Sequence, residues 1–180
     1  MNIRRGTYED LPEILRVYAA ARQTMRENGN PTQWKDYWPP EDVVREDIET
    51  GLNYVLEDET GIHGVFVLLK EADPMYDVIV DGAWPNDKPY FAIHRIASDG
   101  QARGIFDAAV QFAREQATQA GIHELRIDTH ANNRIMLHCI EKAGFARCGT
   151  VFNFDATPRT AFQLSLKDDG YTGTAFQLSW

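Results

Sequence analysis

Ile96-Ala97-Ser98-Asp99-Gly100-Gln101-Ala102-Arg103-Gly104-Ile105-Phe106 is the stretch on which the reading of this chain turns. A strand pattern ends at its start, a polar turn with two glycines follows, and an amphipathic helix begins at its end. A turn of this kind aims several free N–H groups outward at the positive end of a helix dipole, an arrangement that suits a phosphate or pyrophosphate. The same turn also serves elsewhere as plain punctuation between elements. It contains no Gly-Lys-Ser/Thr, and its glycines are wrongly spaced for GxGxxG, so neither a Walker loop nor a dinucleotide fingerprint is present.

Outward from this loop the elements alternate. Residues 90–97 read as a strand, 104–119 as a helix with Ile105, Ala108, Ala109, Phe112 and Ala113 on one face, and 124–128 as a second strand. A helix crossing between two strands implies that the two run parallel. Residues 132–143 form a further helix, closed by Gly144, and 145–154 a further strand. Upstream, residues 2–5 suit an edge strand, and Thr7 with Asp10 makes a capping box for a helix presenting Leu11, Ile14, Leu15, Tyr18 and Arg22. That helix ends at Asn28-Gly29-Asn30-Pro31. A second helix spans 41–49, and strands over 53–57 and 62–70 form a hairpin. Residues 72–88 read as a loop carrying a short helix. The class is α/β (α+β), with a parallel pair inside a mixed sheet.

The tail repeats itself: Thr160-Ala161-Phe162-Gln163-Leu164-Ser165 recurs as Thr174-Ala175-Phe176-Gln177-Leu178-Ser179. The copies flank Asp169-Gly170, a strong turn signal, so a hairpin of near-identical strands is expected. Residues 1–166 are read as the domain and 167–180 as an appended strand able to pair edge to edge in a homodimer.

Composition bounds the function. The 180 residues suffice for one domain, with 43% hydrophobic and 25% charged residues. A net charge of −9 and the lack of any Lys/Arg run exclude nucleic acid as a partner. An acidic surface attracts cationic amines, although acidity also simply keeps a protein soluble. No membrane partner is expected, because no run approaches the roughly 20 apolar residues of a span. Cys139 and Cys148 form no disulfide framework, and Met1 to Gly6 lacks the apolar stretch of a signal peptide, so the cytoplasm is the expected compartment.

Two motifs in the right order resemble the GNAT superfamily of N-acetyltransferases. Gln101-x-x-Gly104-x-Phe106 is similar to Gln/Arg-x-x-Gly-x-Gly/Ala, with Phe106 in place of a small residue, and Ile96-x-Ser98 precedes it where Val-x-Pro is usual. Asn133 then precedes Gly144-Phe145 at the interval of Asn-x-x-Ala-x-x-Leu-Tyr-x-x-x-Gly-Phe, with Met136 at the Ala position and Ile140 at the Tyr position. The segments His94 to Ser98 and Ile127 to His130 also resemble a small bacterial group within the superfamily. The resemblance implies a GNAT-like, mostly antiparallel sheet with helices on both faces and a central parallel pair splayed for acyl-CoA. It implies acetyl-CoA as co-substrate and an amine of a small molecule or peptide as acceptor. It places the pyrophosphate on the backbone of Gln101, Ala102, Arg103, Gly104, Ile105 and Phe106, pantetheine on Ile96 and Ser98, and further cofactor contacts at Asn133 and Met136.

Three residues compete as general base. His94 lies in the strand bordering the expected thioester, and a free imidazole of pKa about 6.5 suits proton abstraction at neutral pH. Asp128 and His130 follow the next strand, where sites in such sheets collect; capping of the following helix is the alternative for them. Trp34, Tyr37, Trp38 and Trp84 either line an acceptor pocket or pack under loops. None of these residues has a metal-ligand spacing, so no metal is expected.

Overall fold

The computed structural model describes residues 1–166. Seven strands form one sheet in the order β1-β2-β3-β4-β5-β7-β6. They are β1 (Asn2–Arg5), β2 (Asn53–Asp58), β3 (Gly61–Leu69), β4 (Phe91–Ser98), β5 (Glu124–Thr129), β6 (Ala146–Phe152) and β7 (Pro158–Ser165). Only β4 and β5 run parallel; every other neighbouring pair is antiparallel. The mixed sheet and its single parallel pair follow from the crossover read in the sequence.

Four helices cover the two faces: α1 (Leu11–Glu27), α2 (Glu41–Glu49), α3 (Ile105–Gln119) and α4 (Arg134–Lys142). Thr7 and Asp10 do form the capping box, at the head of a 3-10 turn that runs into α1. Arg4 clamps the same Asp10 carboxylate through two nitrogens, at 2.6 and 2.9 Å. The face α1 buries is rotated from the expected one: Leu11, Ile14 and Tyr18 are buried, but Val17 and Ala21 complete the stripe, while Leu15 and Arg22 stay half-buried. With α2 this helix covers a core that includes Val55, Val65 and Ala97. On the opposite face, α3 and Ile140 of α4 bury Phe66, Ile93, Leu125, Ile127 and Phe162. Residues 72–88 are irregular apart from a 3-10 turn at Pro74–Tyr76 and a single antiparallel bridge from Val80 to Thr150 of β6.

Two details of β4 set up the site. Its register against β3 passes from Val67↔His94 to Val65↔Ala97, so Arg95 and Ile96 face the single residue Phe66 in a bulge. Arg95 there adopts a φ of 49°, a costly conformation for a residue with a Cβ. Its guanidinium holds Asp47 of α2 through two bonds of 2.9 and 2.6 Å, which ties the bulge to the helix above it.

The first copy of the tail repeat is β7. Over Thr160 to Gln163 both of its edges are taken, by β5 and by β6. The second copy and the expected hairpin turn fall within 167–180, outside the described residues. Among the described residues no helix is long and apolar enough to cross a membrane.

Candidate active site

The parallel strands separate within the sheet. β4 and β5 pair at Phe91↔Leu125, Ala92↔Arg126 and Ile93↔Ile127. Beyond Ile93 no further pairing joins them, although β4 continues to Ser98 and β5 to Thr129. Two cavities meet in the opening. One is lined by Trp34, Trp38, His94, Asp128 and Arg159 among others, the second by Thr24, Ser98, Asn132 and Ile135 among others. Met25, Ile96, Asn133 and Met136 belong to both. The bulge explains why His94 and Ser98 serve different cavities: the extra residue shifts the alternation of β4 between them.

The loop after β4 is built to present backbone. Asp99 accepts the Gln101 N–H at 2.9 Å, and the Gly100 N–H donates to Ser98 Oγ at 3.1 Å. Gly100 and Gly104 take φ values of 78° and 76°, the left-handed region where glycine carries no steric cost. The side chains of Ile105 and Phe106 turn into the core, so the bulk of Phe106 stays away from the amides. Gln101 and Arg103 are exposed and Ala102 is half-buried. The first intrahelical bond of α3 runs from Ala108 N to Gly104 O, and among the described residues no acceptor meets the N–H groups from Ala102 to Asp107. Asp99 is held from behind by His63 and Arg16, each at 3.1 Å. The bond to Asp99 raises the pKa of His63 against the opposing effect of its burial.

His94 sits between two carboxylates. Its Nε2 lies 2.8 Å from Asp73 Oδ2, at an angle short of a true hydrogen bond, and its Nδ1 lies 3.8 Å from Asp128 Oδ1. Asp73 also accepts the Met75 N–H at 2.9 Å. Burial works to raise the Asp73 pKa, but the imidazole and that N–H outweigh it and hold the carboxyl below its usual range. Tyr76 donates its hydroxyl to Asp128 Oδ1 at 2.8 Å, and its ring lies 5.6 Å from the imidazole. Burial, then the Asp128 charge, push the Tyr76 pKa well above 10.0, so the phenol keeps its proton.

The other sequence candidates divide. His130 lines neither cavity; its Nδ1 accepts the Asn132 N–H at 3.1 Å, in the turn that leads into α4. Burial and then Arg159 lower its pKa. Asn133 caps α4 through the Met136 N–H at 3.2 Å and donates to Gln33 at 2.9 Å, so its side chain is occupied while it borders both cavities. Trp34 and Trp38 line the cavity beside His94. Tyr37 is exposed and lines neither. Trp84 also stands outside both: it donates to Tyr76 O at 2.8 Å and stacks on the Arg126 guanidinium at 3.9 Å, a support beneath Tyr76. Ile140 is fully buried in the core.

Sequence reasoning passed over Asp73, Tyr76, Gln33, Arg95 and Arg159. Asp73 and Tyr76 lie in the irregular segment, where no periodicity marks a face. Asp73 as the cap of a short turn closed by Pro74 was the one signal available. Arg159 follows a proline at the start of β7, where a charged residue reads as a solvated strand end.

No known family profile matches the chain, and no curated protein matches it. Solved structures do. A GNAT-family acetyltransferase from Streptococcus agalactiae 2603 is 27% identical, with a TM-score of 0.76, over 93% of this chain and 95% of the other. An N-acetyltransferase from Staphylococcus aureus Mu50 is alike in fold at 23% identity and a TM-score of 0.65, over 92% and 98% of the two chains. The Salmonella typhimurium protein yncA, solved with its cofactor acetyl-CoA, is alike in fold at 14% identity and a TM-score of 0.63, over 96% and 98%. With its seven-stranded sheet, its single parallel pair and these likenesses, the chain belongs to the GNAT superfamily.

Proposed function

We propose that the chain is an acyl-CoA-dependent N-acyltransferase, moving an acetyl or other acyl group to a primary amine of a small molecule or peptide by direct attack in a ternary complex. The observation that carries this reading is the opening between β4 and β5, entered by two cavities that meet at Ile96, Asn133 and Met136. A thioester handed from one side of a sheet to an amine on the other needs such a passage. Gln101 spends its N–H on Asp99, so the loop from Ala102 to Phe106 is what offers N–H groups to the pyrophosphate. The unpaired backbone of β4 about Ile96 and Ser98 offers its hydrogen bonds to pantetheine, as an added strand would. The acetyl-CoA bound by yncA, on the same fold, supports that choice of co-substrate.

In this reading His94 is the base. Asp73 stands beside Nε2, and Nδ1, turned toward Asp128, is the nitrogen that takes the proton. Asp128, with the Tyr76 hydroxyl on one oxygen, holds the incoming ammonium. The ammonium first gives one proton to His94 Nδ1; the amine lone pair so freed attacks the thioester carbonyl carbon, the carbon–sulfur bond breaks with its electron pair on sulfur, and the second proton leaves the nitrogen for solvent. Ile140 brings no hydroxyl to the leaving sulfur. A thiol with a pKa of about 8.5 departs as thiolate without one.

The test is CoA release from acetyl-CoA with a panel of amines. Amine-dependent release, with His94→Gln lowering kcat far more than acyl-CoA affinity, is the expected result. CoA bound tightly with no turnover of any amine would instead make the chain an idle CoA-binding module on this fold.

A further inference from the structure

One cation in the cavity has no part in the transfer just described. Arg159 lies on β7, is 5% exposed, and lines the cavity that contains His94 and Asp128. Its Nη2 donates to Gln33 O at 3.2 Å. Its Nη1 is buried and meets no hydrogen-bond partner. Asp128 and Asp155 act on the guanidinium only through space, and Asp155 is engaged by Thr157 and Lys35. A guanidinium does not give up its proton on burial, so an unmet N–H here is a standing cost. The remedy open to a cavity wall is an anion on the ligand, and a carboxylate, planar like the guanidinium, matches its fork. The other guanidinium lining the cavity, Arg95, is already spent on Asp47.

The strand register gives the position. Asp128 of β5 pairs with Ala161 of β7, so Arg159, two residues along, shares the face of Asp128. The cavity therefore carries the Asp128 carboxylate beside His94 and an unmet guanidinium N–H on the next strand. That is the charge pattern of a site for a molecule with an amine and a carboxylate a few bonds apart. We propose that the acceptor is an amino-carboxylate, its amine at His94 and Asp128 and its carboxylate on Arg159. The inference rests on the acyl-transfer reading and narrows it: a plain amine leaves Arg159 unmet and is disfavoured.

The experiment offers the full chain and acetyl-CoA the twenty protein amino acids, each beside its carboxamide and its decarboxylated amine. CoA release is one readout; calorimetric titration of the same compounds in the presence of CoA is the other. At least one amino acid is expected to be preferred over its carboxamide by about tenfold or more, the usual weight of a charged hydrogen bond. Arg159→Gln should bring that ratio toward one and Arg159→Lys should keep part of it. The parent's own carboxylate-to-carboxamide ratio decides the matter even if a variant does not fold. Transfer to carboxylates and carboxamides alike overturns this inference and leaves acyl transfer standing. Arg159-dependent binding of carboxylates without CoA release supports the carboxylate site and overturns acyl transfer. Amino acids neither bound nor modified overturn the inference.

Discussion

Gly64→Ala tests how tightly the start of α3 is locked to the sheet. Gly64 lies on β3, paired with Ser98 immediately before the loop that leads into α3. A methyl there would sit 2.6 Å from Ile105 Cγ2 and 3.0 Å from both Ile105 Cδ1 and Leu56 Cδ1. Carbon atoms pack at about 3.5–4.0 Å, so Ile105 must retreat by roughly 1 Å. It has little freedom to do so: it is β-branched, 5% exposed, and opens a helix. Overpacking of this kind costs about 1–3 kcal/mol. For a chain of this size that is a Tm lower by roughly 2–12 °C, or a lower urea midpoint at unchanged slope. Ile105→Ala alone should cost about 2–4 kcal/mol through the cavity it leaves. In the double variant the new methyl occupies space that Ile105 vacated, so the losses should fall short of their sum by about 1–2 kcal/mol, with the Leu56 contact limiting the recovery. Urea unfolding of the four proteins measures this. Additivity within about 0.5 kcal/mol would refute the packing argument.

Two further outcomes are expected. Gly104→Glu should fold, since nothing lies within 4 Å of its Cβ, at a backbone cost of about 1 kcal/mol for its φ of 76°, yet lose CoA affinity because a carboxylate would face the pyrophosphate; titration with CoA checks this, and undiminished affinity would reduce the loop to a simple connection. Asp10 is held at a pKa of about 2, chiefly by the Arg4 guanidinium, so its stabilisation is complete above the unfolded value near 3.8 and is lost as pH falls toward 2; because Arg4 is 37% exposed, Asp10→Asn should cost about 1 kcal/mol at pH 7 and the two proteins should converge in stability near pH 2.

What was legible in the sequence was whatever is written locally. Alternation and capping gave the strands and helices, and the glycines of the loop carried its geometry, because left-handed backbone at Gly100 and Gly104 is a one-residue property. The bulge in β4 was not legible. Arginine is no left-handed former, and Arg95 adopts that conformation because Asp47, far away in the chain, grips it. The carboxylates about His94 were half readable. Asp128 lies at a strand end, where sites collect, whereas Asp73 reaches the imidazole from an irregular segment whose path is set by tertiary packing around Tyr76. The face of α1 was misjudged at Leu15 and Arg22 because a helix buries the stripe its neighbours leave room for; here α2 and β3 favour Val17 and Ala21.

The short pairing of β4 with β5 also has a mechanical consequence. Three pairs of residues join the four strands on one side of the sheet to the three on the other, against six between β5 and β7. The molecule thus has a seam through its middle, bridged mainly by α3 and the cores on either face. A structure of this kind opens along its seam first, so the two halves should exchange their amide hydrogens as separate cooperative units. A ligand spanning the seam would fasten them together, and the chain's resistance to proteolysis would then follow the supply of that ligand rather than the temperature alone.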